Sequence, residues 1–212
     1  MRYNHGMNQD TIVASTANTA LLIVDLQNDY CAAGGYMERH LQRDISSVAH
    51  VAGTIDNLAR AARQASVPVI WVRAIYDPKY INAPMLGKQQ ERGVAGQVLC
   101  AEGSWGAEFF ELSPDSGETV ISKHRFSAFY ETGLSGVLQD ADITSIVVCG
   151  VSTNVCIDST VRDGFMAGLQ IVVPRDCVAS YSNSLHLATL DNISLVFGRV
   201  CESNDLITEW GQ

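Results

Sequence analysis

Positive charge is scarce in this sequence: 14 Lys and Arg stand against 23 Asp and Glu, a formal net charge of -9. Nucleic-acid binding draws on Lys and Arg releasing counterions from phosphates, so this balance argues against a nucleic-acid partner. Long apolar runs are also lacking. Runs such as 146–148 fall far short of the roughly 20 residues that cross a bilayer, which predicts a soluble chain with no membrane partner. No C-x-x-C pair occurs among the six cysteines, Cys31, Cys100, Cys149, Cys156, Cys177 and Cys201. Their scatter, partly inside apolar runs, fits reduced thiols in a cytoplasmic chain, most of them inert packing residues. His5, His40, His50, His124 and His186 have no ligand spacing, so no metal and no other cofactor is expected. Residues 1–20 lack a basic start followed by an apolar core, so they carry no secretory signature. Residues 1–18 read as a loose N-terminal arm, and 19–212 as a single domain.

What is present is a repeat of short aliphatic runs at 20–25, 67–73, 118–122, 145–150, 170–174 and 193–197, each followed by a turn and, after most of them, a helical pattern. The runs are continuously apolar rather than alternating, so both faces of each strand should be covered. That predicts a parallel sheet between helix layers, a three-layer α/β/α domain. Over 46–65, Val48, Val51, Ile55, Leu58 and Ala62 fall on one helical face, which marks a core-packing helix. A second helix is predicted over 155–167, stopped by Gly168. Between them, 76–106 is rich in Gly and Pro and carries Tyr76, Tyr80 and Trp105, which suggests an irregular cover over a pocket.

In open α/β sheets, ligands bind outside the carboxyl ends of the strands. Three reactive side chains stand there. Asp25 ends ALLIVD, Lys123 follows TVIS, and Cys156 lies beyond SIVVCG in a segment that opens a helix. A helix N-terminus favours a thiolate and can also stabilise the oxyanion formed when that thiolate attacks a carbonyl. Asp25 could take the thiol proton and return it to a leaving nitrogen, and the charge of Lys123 would steady both groups.

The stretches IVDLQNDY, SKHRFSAF and GVSTNVCIDSTVRDGF, in that order, resemble the three signature segments of the isochorismatase-like cysteine hydrolases. The resemblance implies a Rossmann-like sheet of six parallel strands, order 3-2-1-4-5-6, and a catalytic Asp25, Lys123 and Cys156 triad. It also implies a cis peptide between Val151 and Ser152 that turns the Ser152 N–H, beside that of Cys156, into an oxyanion hole. A homo-oligomer, dimer or tetramer, is implied as well.

The segments DLQNDYCAAGGY, GSWGAEF and RFSAFYETGL are similar to those of the ureidoacrylate and biuret hydrolase branches, which release ammonia from a terminal carbamoyl group. The expected activity is therefore hydrolysis of a small amide or ureido C–N bond through a thioester. Ala74 stands where ureidoacrylate hydrolases carry an Asn, which leaves the substrate itself open. Asn28, Trp71, Arg73, Tyr76, Trp105, Phe126 and Tyr130 are the candidates for lining the pocket, with Arg73 able to pair with a substrate carboxylate. Two alternatives stand beside this one: a vinyl ether hydrolase, and a catalytically silent binding member of the family.

Overall fold

The computed structural model of the protein describes residues 14–211, so most of the expected N-terminal arm lies outside the described residues. The last part of that arm packs on the body: Ala14 is buried and its carbonyl accepts the Trp210 indole N–H at 3.0 Å. Seven strands follow, β1 (Thr19–Val24), β2 (Val69–Ala74), β3 (Thr119–Lys123), β4 (Ser145–Val151), β5 (Gln170–Pro174), β6 (Val178–Ala179) and β7 (Arg199–Cys201). The helices are α1 (Asn28–Cys31), α2 (Tyr36–Arg39), α3 (Ser46–Gln64), α4 (Ala83–Glu91), α5 (Leu134–Asp140), α6 (Asp158–Met166), α7 (Asn183–Asn192) and α8 (Ser203–Trp210). Among the described residues no helix is long and apolar enough to cross a membrane.

The sheet runs β3-β2-β1-β4-β5-β7, with the short β6 paired to β4, and its ladders are parallel. β1 lies at its centre, with Leu21 opposite Val69 on one side and Val147 on the other. Every residue of β1 is buried, because alternate side chains serve opposite layers. Leu21 and Ile23 join Val147, Cys149 and the α3 residues Val48, Val51, Ile55, Leu58 and Ala62 in one core. Ala20, Leu22 and Val24 join Ile146, Val148, Leu134 of α5 and Val161 of α6 in the other. Fully burying each such aliphatic side chain contributes about 1.5–3 kcal/mol. The three-layer α/β/α architecture is the one expected.

The sixth strand is not where the sequence pattern put it. The apolar run Ile193–Phe197 prolongs α7 as a π-helical turn, burying Ile193 while Leu195 and Val196 stay exposed, and the strand is Arg199–Cys201. Four apolar residues in a segment of five do not discriminate strand from helix by periodicity, and here the helix immediately before them captures the run. The expected irregular cover also holds a helix. In α4 the Asn82 side chain caps the N-terminus by accepting the Met85 N–H at 3.0 Å, and Pro84 lies in the first turn. No α4 residue is buried, so the sequence carried no apolar stripe to reveal it.

Candidate active site

Asp25 leaves β1 in the left-handed region, φ 54°, a conformation a short polar side chain tolerates better than most. Its N–H donates to the Val72 carbonyl at 2.8 Å, and its side chain is fully buried. Lys123 is the last residue of β3, paired with Ala74 of β2. Cys156 sits in the π-helical turn Thr153–Ile157 that feeds into α6, directly after a cis peptide between Val151 and Ser152. At the end of β4, Gly150 (φ 114°) runs so close to β1 that a Cβ there would stand 2.0 Å from the Val24 carbonyl oxygen. Glycine at that position is what lets the nucleophile loop approach the strand carrying Asp25.

These elements bring the three expected side chains into contact. Lys123 Nζ lies 2.7 Å from Asp25 Oδ2, 3.5 Å from Cys156 Sγ and 3.1 Å from the Arg125 carbonyl oxygen. Three partners match the three N–H groups of an ammonium. Burial works against the charge on Lys123, but Asp25 and then Cys156 outweigh it and hold the group above the usual lysine range. Burial also pushes the Asp25 carboxyl up, with Lys123 pulling the other way. Asp25 Oδ1 has no hydrogen-bond partner among the described residues.

The surroundings of the thiol weigh against a sulfur held ionised at a helix start. Cys156 is 3% exposed, and burial, reinforced by Asp25, drives its pKa upward despite Lys123. Desolvation of a charge inside the core works against the help of one half-turn of free N–H groups and favours the thiol form. Tyr30, Tyr76 and Tyr181 lie within electrostatic reach of it. Their phenols are pushed up by burial first and by the charges of the Asp25 and Cys156 cluster in addition.

The residues after Asp25 hold the cover in place, a role the sequence analysis did not assign. Gln27 Nε2 donates to the carbonyls of Ala74 (3.0 Å) and Ala107 (2.9 Å), while its Oε1 accepts the Ala74 N–H at 2.8 Å. Asn28 Nδ2 donates to the Trp105 carbonyl at 2.8 Å. The Asp29 carboxylate accepts the N–H of Cys100 at 2.7 Å and of Tyr36 at 3.0 Å. Gly106 presses against that carboxylate, where a Cβ would stand 2.3 Å from Oδ2. A run of three polar residues directly after a buried strand was the available signal, since buried polar groups must find partners.

The pocket candidates divide. Tyr76 is buried over Lys123, its ring centroid 5.9 Å from Nζ, and donates to the Arg125 carbonyl at 3.2 Å. Asn28 is buried with its amide donated to the Trp105 carbonyl. Trp71 is a correction: it faces the α3 layer, packs edge-on against Phe109 at 4.9 Å and donates its indole N–H to Glu118 at 2.7 Å. Three residues before the end of β2 the pleat turns its side chain into the core, which the strand pattern could have anticipated. Arg73, on the same face, donates to Ser122 Oγ at 3.0 Å and lines a cavity of about 370 Å³ with Glu102, Ser104, Glu108 and Phe109. Neither that cavity nor a second of about 240 Å³ beside Trp71 and Arg63 is lined by a triad residue. Trp105, Phe126 and Tyr130 are 49%, 48% and 52% exposed.

Among the described residues no group of three or more His, Cys, Asp and Glu is placed to hold a metal. His124 Nδ1 pairs with the Ile75 carbonyl, His186 Nδ1 with Thr153 Oγ1, His40 stacks beside Tyr36, and His50 is exposed on α3. His5 lies outside the described residues.

A parallel α/β sheet with a buried Asp, Lys and Cys cluster at its carboxyl edge defines a class of cysteine hydrolase folds. The family model described as "Isochorismatase domain" matches residues 19–205, and the chain belongs to this family. It is 35% identical over 206 residues to the ureidoacrylate amidohydrolase RutB of Methylobacterium radiotolerans, covering 91% of this chain and 80% of that protein. To RutB of Pseudomonas syringae pv. syringae it is 34% identical, over 90% of this chain and 82% of that protein. Among solved structures, it is similar to a cysteine hydrolase from Pseudomonas syringae pv. phaseolicola, with a TM-score of 0.83, 26% identity, and 94% and 95% of the two chains covered.

Proposed function

We propose that the protein is an amidohydrolase that cleaves the C–N bond of a small amide, ureido or carbamoyl substrate, releasing ammonia through a thioester on Cys156. The observation that carries this reading is the Lys123 ammonium in simultaneous contact with Asp25 and Cys156, all three buried at the carboxyl edge of the sheet. The ureidoacrylate amidohydrolases among its relatives support the choice of bond.

The cycle begins with a neutral thiol. Asp25, whose Oδ1 is unpartnered, takes the Cys156 proton as the sulfur attacks the substrate carbonyl carbon. The developing oxyanion meets the backbone N–H groups of Ser152 and Cys156, and Lys123 balances the negative charge. Asp25 passes its proton to the nitrogen as the C–N bond breaks, so ammonia departs and the acyl group remains on sulfur. Water, deprotonated by Asp25, then attacks the thioester, and the returning proton restores the thiol. Because Cys156 is covered in the described structure, substrate reaches it when part of the enclosing layer moves aside. Tyr76 stands over Lys123.

An ammonia-release assay over ureido acids, biuret, N-carbamoyl amino acids, maleamate and nicotinamide tests the reading. Turnover of at least one, with added acyl mass on the Cys156 peptide after a brief substrate pulse, is expected. Full turnover with that peptide unmodified would refute the thioester.

A further inference from the structure

We propose that Tyr76 is a positioning residue for the site lysine: its hydroxyl and the Lys123 ammonium meet on one acceptor, the Arg125 carbonyl, and this fixes where the ammonium stands against the Cys156 sulfur. The inference rests on the triad reading above and adds the means by which the lysine is held. Tyr76 Oη donates to the Arg125 carbonyl at 3.2 Å and Lys123 Nζ donates to the same oxygen at 3.1 Å. That oxygen is the third partner of the ammonium, beside Asp25 and Cys156. Lys123 therefore has no N–H left for a substrate, and its contribution is the position of its charge.

The shared carbonyl is mounted from behind. The Arg125 guanidinium donates to the carbonyls of Tyr80 at 2.7 Å and His124 at 2.6 Å, His124 Nδ1 pairs with the Ile75 carbonyl at 2.8 Å, and the Tyr80 ring stacks on His124 with centroids 3.4 Å apart. Residues 75–80, just past β2, are thus laced to residues 123–125, just past β3, and Tyr76 closes the lacing on the side facing the sulfur. Tyr76 carries a single hydroxyl proton, already given to a backbone oxygen, which sets it apart from a residue waiting to bind substrate. An ammonium with three partners stays between them; with the Arg125 oxygen free to swing, it settles toward the Asp25 carboxylate, its strongest attraction, and away from the sulfur.

The charged and titratable groups facing the Cys156 thiol are Asp25 at the end of β1, Lys123 at the end of β3, Tyr30 of α1, Tyr76 after β2, Cys100 of the cover and Tyr181 after β6. Lys123 is the one cation of this set, so its displacement has one direction of effect: a thiolate becomes harder to form.

The test needs no substrate. Alkylation of Cys156 by iodoacetamide, read by peptide mass spectrometry across pH, is compared in the wild type and Tyr76→Phe, with melting temperature measured in parallel. The expected result is an alkylation midpoint higher by roughly half to one pH unit, the size of one neutral hydrogen bond on that scale. Trp210→Phe, which removes a distant indole bond to Ala14, should lower the melting temperature and leave the midpoint in place. An unmoved midpoint in Tyr76→Phe overturns the proposal: with a raised KM it makes Tyr76 a substrate contact, and with a lowered melting temperature alone a packing residue. Should Tyr76→Phe not fold, Arg125→Ala frees the same carbonyl from its mount, and the same rise is required of it. A wild-type Cys156 labelled no faster at any pH than the buried Cys149, which lies outside the triad, would count against the triad reading itself, a failure distinct from an unmoved midpoint in the variants.

Discussion

Lys123 Nζ stands 2.7 Å from Asp25 Oδ2 with both side chains shut away from solvent. A buried pair of this kind gains little over an apolar pair of the same shape, but removing one partner strands the other charge in the core. Lys123→Met should therefore abolish turnover and also lower unfolding stability by about 3–5 kcal/mol in a urea titration. Lys123→Arg should restore neither, because a planar guanidinium cannot reproduce three contacts radiating from one nitrogen. A Lys123→Met protein as stable as the wild type would show that the pair is not ionised.

Cys156→Ala separates acyl transfer from the vinyl ether chemistry found elsewhere in the family. Loss of the nucleophile should lower ammonia release by on the order of 10⁴-fold or more. Its effect on stability should be small beside that of Lys123→Met, since the Asp25 and Lys123 contact survives. Retained hydrolysis of a vinyl ether by this variant would redirect the assignment.

The raised thiol pKa makes a pH prediction with a definite sign. A group whose acid form is favoured in the fold stays protonated through neutral pH, so iodoacetamide labelling of Cys156 in the wild type should keep climbing past pH 9. A pre-formed thiolate would react at a nearly constant rate between pH 6 and 8. Observation of that plateau would reinstate the ionised resting sulfur.

Gly106→Ala probes the clamp on the cover. The added methyl collides with the Asp29 carboxylate, whose oxygens hold the N–H groups of Cys100 and Tyr36, so something must shift. Destabilisation of about 1–3 kcal/mol is expected, with faster amide hydrogen exchange at Cys100 and Ala107. Unchanged exchange there would mean that the cover is held by other contacts.

Glu118 ties β3 to α3 and β2 by accepting from Arg63 (2.8 and 3.0 Å) and the Trp71 indole. Burial raises its pKa, but the hydrogen bonds from Arg63, Asp115 and Trp71 win and lower it. A carboxyl lowered in the fold contributes stability that is present above its unfolded pKa and lost as pH falls through the folded value. Glu118→Gln should cost about 1.5–3 kcal/mol at pH 7 and flatten the acid side of the stability profile. An unchanged profile would show that another carboxyl governs acid unfolding.

Much of this could be read along the chain. The unbroken apolar character of 20–24 and 145–150 announced strands covered on both faces, and the spacing of Val48, Val51, Ile55 and Leu58 announced α3, because these patterns express periods of the local backbone. Asp25, Lys123 and Cys156 were visible as reactive residues at strand ends, and the parallel sheet then brought those ends to one edge.

Other features depended on which distant segments met. Trp71 was a candidate for lining the pocket, and the pleat turned it into the core. The run Ile193–Phe197 had no local property that made it the end of a helix. Gln27, Asn28 and Asp29 became a clamp, and the Arg125 carbonyl the third partner of Lys123, only when loops remote in sequence closed over them. The sequence by itself determined the layers, the positions of the first five strands and the identities of the reactive groups, since backbone periodicity and side-chain chemistry are local. The tertiary structure alone decided the direction in which the Cys156 thiol is pushed and the confinement of Lys123. Desolvation and Coulomb forces act through space, and their strength comes from the neighbours that folding supplies.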